Sequence, residues 1–191
     1  LQGDHYQISA SLPLEEERES VESLITDAVS AGFFNIDVDT STLVDINLPT
    51  VPEQQALNSK LSAELSAFIR EHEPEGVTIS IGGEIGEVGT ENSTEPELRA
   101  YMDAYNENLQ KIAPGKPGLS KISVLTGTSH GGTVLPDGSI AEVHIAFDVL
   151  RDLSRVARKD YGMGGTVQHG ASTVPEENFN KFVQNEAIEV H

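Results

Sequence analysis

Several short apolar runs in this sequence end on a side chain that can bind a metal or move a proton. The clearest is Val124-Leu-Thr-Gly-Thr-Ser-His130-Gly-Gly132, a buried strand that stops, presents one imidazole and passes into two glycines. Others end at Asp4-His5, at Asp37 and Asp39, at Glu84 and at His169. Small residues and then a helical pattern tend to follow. In alternating β/α chains the carboxyl ends of parallel strands converge on one mouth, so residues far apart in sequence can meet there. His5, His130 and His169 with Glu84 would combine imidazole nitrogens with a carboxylate oxygen. That is the donor set zinc or a similar borderline divalent ion selects, and an open position in it makes the site catalytic. The chemistry expected is carbonyl chemistry at a metal.

Each residue also has a plainer reading, because any one of these histidines could be buried and hydrogen-bonded for structure alone. Asp4 adjoins His5, and neighbours on a strand face opposite ways. Both reach the mouth only if the chain has bent there, which the sequence suggests as a loop from about His5 to Pro13. Asp4 would then move protons beside a polarised substrate; otherwise it caps a turn. Asp39 shares a face with Asp37 and lies nearer the loop, where it either orients a metal-bound histidine or caps the loop. Gly131-Gly132 and Gly170-Ala-Ser172-Thr173 free backbone N–H groups that can cradle an anion such as phosphate, or serve only to turn the chain tightly. His72 reads as solvated helix surface and His144 as structural; the sequence does not decide the role of His191. The glycines of residues 82–89 lack dinucleotide-fingerprint spacing and carry an acid at the centre of the turn.

The elements that would position these residues alternate. Helices are predicted over about 15–31, with Val21, Leu24, Ile25 and Ala28 inward, and from Val51, with Leu57, Leu61, Leu65, Phe68 and Ile69 inward. A third begins after a cap at Ser93 or Thr94 and buries Leu98, Met102, Tyr105, Leu109 and Ile112. A fourth is capped by Asp148 and closed at Gly162, and a short fifth follows Pro175. Strands are predicted at the start of the chain, at 33–39, 77–81, 121–125 and 165–169, and in the final apolar run. Strand and helix in turn with short links specify a parallel α/β fold of about six strands and five helices. That is two or three strands short of an eight-stranded barrel.

Acids outnumber bases 31 to 12 over 191 residues, a formal net charge of −19. That balance argues against nucleic acid, which needs a basic face, and against an anionic membrane surface. It reads as a solvated exterior, and an anionic substrate would have to be drawn by local N–H groups and a metal. The chain has no cysteine, so neither disulfides nor thiolate chemistry enter. No apolar run reaches membrane-spanning length.

Asp4-His5, Glu84-Ile-Gly-Glu-Val-Gly89, Ser129-His-Gly-Gly132 followed by Pro136-Asp-Gly138, and His169-Gly-Ala-Ser172, in this order, resemble class II (metal-dependent) fructose-bisphosphate aldolases. The resemblance spans nearly the whole chain. It implies a (β/α)8 TIM barrel covered from about the end of strand three to the start of strand eight, one domain over residues 1–191, incomplete at both ends. It further implies His5, His130 and His169 as zinc ligands, with Glu84 nearby or alternative and another divalent metal as a substitute. Asp4 would be the acid/base at the substrate hydroxyl. Gly131, Gly170 and Ser172 would line a phosphate site, and a monovalent cation could bind near the His-Gly turns. The reaction implied is reversible cleavage of a ketose bisphosphate, fructose 1,6-bisphosphate, by a cytoplasmic homo-oligomer, a dimer or tetramer. The sequence departs from the family in Gly89-Thr-Glu91-Asn-Ser93, where Glu91 is the best stand-in for the usual mobile-loop acid. The usual lysine after the middle histidine is absent from residues 131–136, and the Asn-x-Asp motif of strand eight is expected beyond His191. The alternative is a non-catalytic barrel subunit of a sugar-bisphosphate aldolase, whose opening Gly3-Asp-His5 is also similar. A metal-dependent barrel hydrolase has no further residue in its favour.

Overall fold

The computed structural model describes residues 1–9, 11–86, 91–127, 145–171 and 174–191. Within them the chain alternates as the sequence predicts: β1 (Gln2–Gln7), α1 (Leu14–Ser30), β2 (Asn35–Asp39), α2 (Val51–His72), β3 (Ser80–Glu84), α3 (Glu95–Ile112), β4 (Lys121–Val124), α4 (Phe147–Tyr161), β5 (Thr166–Gln168), α5 (Phe179–Gln184) and β6 (Ala187–Val190). The strands form one sheet in the order β1-β2-β3-β4-β5-β6, and every neighbouring pair is parallel. Parallel neighbours need crossovers, and the helices supply them on the outer face. Ile36, Val38, Ile81, Ile122 and Val124 join Ile25, Leu65, Leu98, Tyr101 and Leu150 in one apolar core.

The other face curls on itself and is polar. Lys121 of β4 reaches both Asp37 of β2, at 2.9 Å, and Glu189 of β6. Asn35 of β2 donates to Glu189 at 2.9 Å. Side chains from alternate strands meeting at one level are the layers of a barrel interior, so the sheet is a curled half-barrel, the architecture of a partial TIM barrel. The level is unusual in holding an ion cluster, and it needs Gly82. A Cβ there would stand 2.1 Å from Asp37 Oδ1 and 3.0 Å from Lys121 Cε.

The helices start and stop for local reasons. Thr50 and Thr94 each form a reciprocal capping box, with Glu53 and Glu97 respectively, and a proline opens each helix. Such caps contribute about 1 kcal/mol each. Gly162 closes α4 in the left-handed region at φ 68. Between α2 and α3, small residues on one side make room for tyrosines on the other, and Tyr101 donates to Ser62 Oγ at 2.6 Å. Buried Arg70 donates to the carbonyls of Ile79, Pro117 and Gly118, fastening the chain ahead of β3 and β4 to α2.

Several expectations need correction. Leu24, Leu57 and Ile112 are exposed rather than inward, and on α1 Val29 is buried although Leu24 is not. The third strand lies three residues later than the β-branched run at 77–81 suggests. It takes in Gly82 and Gly83 because the sheet is too crowded there for a side chain, a Cβ on Gly83 falling 2.6 Å from both Tyr101 and Leu119. Ala146 rather than Asp148 stands at the N-cap of α4. The chain after His5 is strand through Gln7, not loop.

The loop joining β1 to α1 is clamped by one carboxylate. Glu17 accepts from the backbone N–H of Ser9, Ser11 and Leu12 and from the hydroxyls of Ser9 and Ser11. These bonds, led by the Ser9 hydroxyl, hold its carboxyl at about 2, against an ordinary 4.5. A depressed folded-state value contributes stability above the unfolded value and loses it as pH falls through the folded one. Glu17→Gln is therefore expected to lower the thermal midpoint at neutral pH, with the gap to wild type narrowing as pH drops from about 4.5 toward 2. Thermal melts over that range check it, and a gap that stays constant would remove the clamp.

Candidate metal site

The convergence of the site begins with a bulge in β1. Gly3 pairs with Ile36 and Tyr6 with Val38, so three steps along β1 match two along β2. His5 sits at φ 52, in the left-handed region a non-glycine residue rarely enters. The extra residue reverses the alternation of faces. Gln2 and Asp4 point into the half-barrel before it, and His5 and Gln7 after it, so adjacent Asp4 and His5 share one side. Gly3 faces outward under the Tyr6 ring, whose hydroxyl would lie 2.1 Å from a Cβ. The bend that lets both residues reach the mouth is thus an irregularity inside a strand.

His5, Glu84 and His169 come from β1, β3 and the end of β5. The two imidazole rings lie 4.4 Å apart. Glu84 stands between them, Oε2 being 3.8 Å from His5 Nδ1 and Oε1 3.7 Å from His169 Nδ1. Asp4 closes the other side, 3.8 Å from His5 Nε2 and 3.6 Å from His169 Nε2. Asp4, His5 and His169 form one group of donors within 4.8 Å of one another, and His5, Asp39 and Glu84 form another. Ligands bound to one zinc at about 2.1 Å stand about 3.4 Å apart on a tetrahedron. The imidazoles face Asp4 through Nε2 and Glu84 through Nδ1. A single ion would therefore take Asp4, His5 and His169 on one side or His5, Asp39 and Glu84 on the other, and gathering Glu84 with both histidines and Asp4 requires a ring to turn.

Asp39 is buried directly beneath. Its Oδ2 lies 3.1 Å from His5 Nδ1, and its Oδ1 accepts the hydroxyl and N–H of Ser41. It therefore both orients His5 and ties down the turn after β2, so neither sequence reading excludes the other. Its hydrogen bond raises the His5 imidazole to about 9, against the downward pull of burial. Burial lifts the Asp4 carboxyl, but the His191 hydrogen bond and the charges of His169 and His5 outweigh it and hold it at about 2. The group is rich in carboxylates and favours a positive charge at its centre, either protons on the imidazoles or an ion.

Gly170, at φ 74, turns the chain after His169, and Glu91 is exposed ahead of α3 and belongs to neither donor group. His130, Gly131 and Ser172 lie outside the described residues, as do His144 and the expected turn at 136–138. His72 is exposed on α2, as predicted.

Three groups at the site were not singled out from sequence. His191 Nδ1 lies 3.0 Å from Asp4 Oδ2, and its ring centroid is 5.2 Å from that of His169. Ser123 Oγ is 3.1 Å from His169 Nε2. Lys121 supports the level below. Glu189 and His191 are two apart in an alternating run, so they share a face. That spacing was the available signal.

No family model matches this chain, and no curated protein does. Among solved structures it is similar to the 1.85 Å crystal structure of fructose-bisphosphate aldolase (Fba) from Campylobacter jejuni, with a TM-score of 0.52 and 16% identity over 98% of this chain. The chain spans 49% of that aldolase's length. At that identity the likeness is one of fold, and it agrees with the half-barrel seen here.

Proposed function

We propose that this chain carries the metal centre of a class II aldolase, a lyase that reversibly cleaves a ketose bisphosphate, fructose 1,6-bisphosphate, to dihydroxyacetone phosphate and glyceraldehyde 3-phosphate. The observation that carries the reading is the β1 bulge, which turns Asp4 and His5 together toward Glu84 and His169. His5, His169 and His130 would hold zinc, with Glu84 close enough to bind or to neutralise it. A divalent ion held there acts as a Lewis acid on a substrate carbonyl. Asp4 would take the proton of the hydroxyl whose loss accompanies carbon–carbon cleavage, and Glu91 would serve the carbon acid if its segment reaches the mouth. Asp39 orients His5. The backbone at Gly131, Gly170 and Ser172 would supply N–H groups to a phosphate, which the net charge of −19 does not itself attract.

The purified chain is expected to hold about one zinc and to cleave fructose 1,6-bisphosphate. Chelation should remove both metal and activity, and zinc should restore them. Cleavage that survives complete removal of metal would overturn the reading. The exposed position of Glu91 favours one alternative, a non-catalytic subunit of a sugar-bisphosphate aldolase. Such a subunit would bind metal yet show no cleavage until a partner aldolase is added.

A further inference from the structure

We infer that His191 is a positioning residue that fixes the carboxylate of Asp4. Gln2 Nε2 lies 3.1 Å from Asp37 Oδ2 and 3.0 Å from His191 Nε2. Lys121 Nζ lies 3.0 Å from the same Asp37 oxygen. A carboxylate paired with an ammonium can only accept, so the Gln2 atom facing it is the amide nitrogen. That nitrogen also donates to His191 Nε2, which must accept, and the ring proton is left on Nδ1. Nδ1 faces Asp4 Oδ2 at 3.0 Å. An imidazolium would also donate from Nδ1 but would lose the bond from Gln2, because its Nε2 then carries a proton, so the full chain specifies the neutral ring with its proton on Nδ1.

The other Asp4 oxygen is held too, since the His5 backbone N–H donates to Oδ1 at 2.9 Å. Donors from β1 and from the residue after β6 thus grip the two oxygens separately and set the plane of the carboxylate, leaving acceptor capacity on each for a substrate proton. The backbone fixes one donor, but the other depends on a chain of side chains, Lys121–Asp37–Gln2–His191, anchored in the ion cluster below. Asp4, Asp37 and His191 also stand at ligand spacing, but Lys121 already occupies the cationic place beside Asp37.

The consequence for rate rests on the aldolase reading; the hydrogen bond does not. Spectra of the ¹⁵N-histidine-labelled wild-type protein, with the His191 signals assigned by their loss in His191→Asn, are expected to show Nδ1 protonated. A ring protonated on Nε2 alone overturns the inference whether or not the protein cleaves anything. In the zinc-loaded protein, His191→Ala is expected to lower kcat about 10- to 100-fold, the scale of a misplaced reacting group. KM and zinc content should stay near wild type. His191→Asn, whose amide nitrogen can stand where Nδ1 stood, should recover most of the rate. Loss of zinc in His191→Ala would make His191 a ligand and overturn the positioning role, and so would an unchanged kcat. If the wild type does not cleave, the aldolase reading fails alone and the spectrum decides the role of His191.

Discussion

On the proposed aldolase reading, Asp4→Asn in the zinc-loaded protein is expected to retain metal and fold while losing kcat by about 10²–10⁴-fold, the usual worth of a positioned acid or base. The substitution preserves shape and removes the ability to take up a proton. With its carboxyl held at about 2, Asp4 is ionised at any working pH and stands ready as an acceptor. Its side chain is 29% exposed at the rim, open to a substrate hydroxyl. Asp39, by contrast, is buried and already engaged by Ser41, Gln7 and His5, so it does not offer a substitute. Steady-state rates with metal analysis on the same samples check the expectation. Activity within a few-fold of wild type, metal retained, would remove Asp4 from proton transfer. Loss of metal would instead make it a ligand, as its distances to both imidazoles allow.

The alternation of elements was legible because it depends on hydrophobic spacing and caps, which are local. The rule that acids and histidines end the strands brought Asp4, His5, Asp39, Glu84 and His169 to one mouth without any structure. The bulge was not legible. It depends on the Tyr6 ring lying over Gly3 and on His5 entering a positive φ, and neither leaves a pattern in a six-residue strand. The displaced third strand shows a related limit. Residues 77–81 have the β-branched propensity, yet the sheet selects the segment whose glycines admit Asp37 on one face and Tyr101 on the other. Propensity is a weak prior against close approach. His191 escaped because its place is set by the curl of six strands, which carries β6 back toward β1. Lys121 opens an apolar run, and only the same curl gives it two carboxylates.

That ion cluster bears the largest expected effect on stability. Lys121→Met is expected to destabilise the protein by about 3–5 kcal/mol, the cost of leaving a buried ion pair without one partner. Lys121 is 2% exposed and Asp37 5%, so water cannot replace the lost ammonium. Burial already pushes the Asp37 carboxyl up, and the Lys121 charge pulls it back only in part. Without Lys121, Asp37 and Glu189 would keep the amide donors of Gln2 and Asn35 but lose their shared cation. The pair should not be read as a source of stability in itself, because charges taken from water cost about what they regain from each other. The triple variant Lys121→Met, Asp37→Leu, Glu189→Leu should therefore recover much of the loss. Its cost should appear in function instead, since Gln2 would lose the carboxylate that aims it at His191. Denaturant unfolding of the single and triple variants separates the two effects. A single variant within about 1 kcal/mol of wild type would mean that water or a rearranged carboxylate compensates the cluster, and the anchor proposed for His191 and Asp4 would lose its foundation.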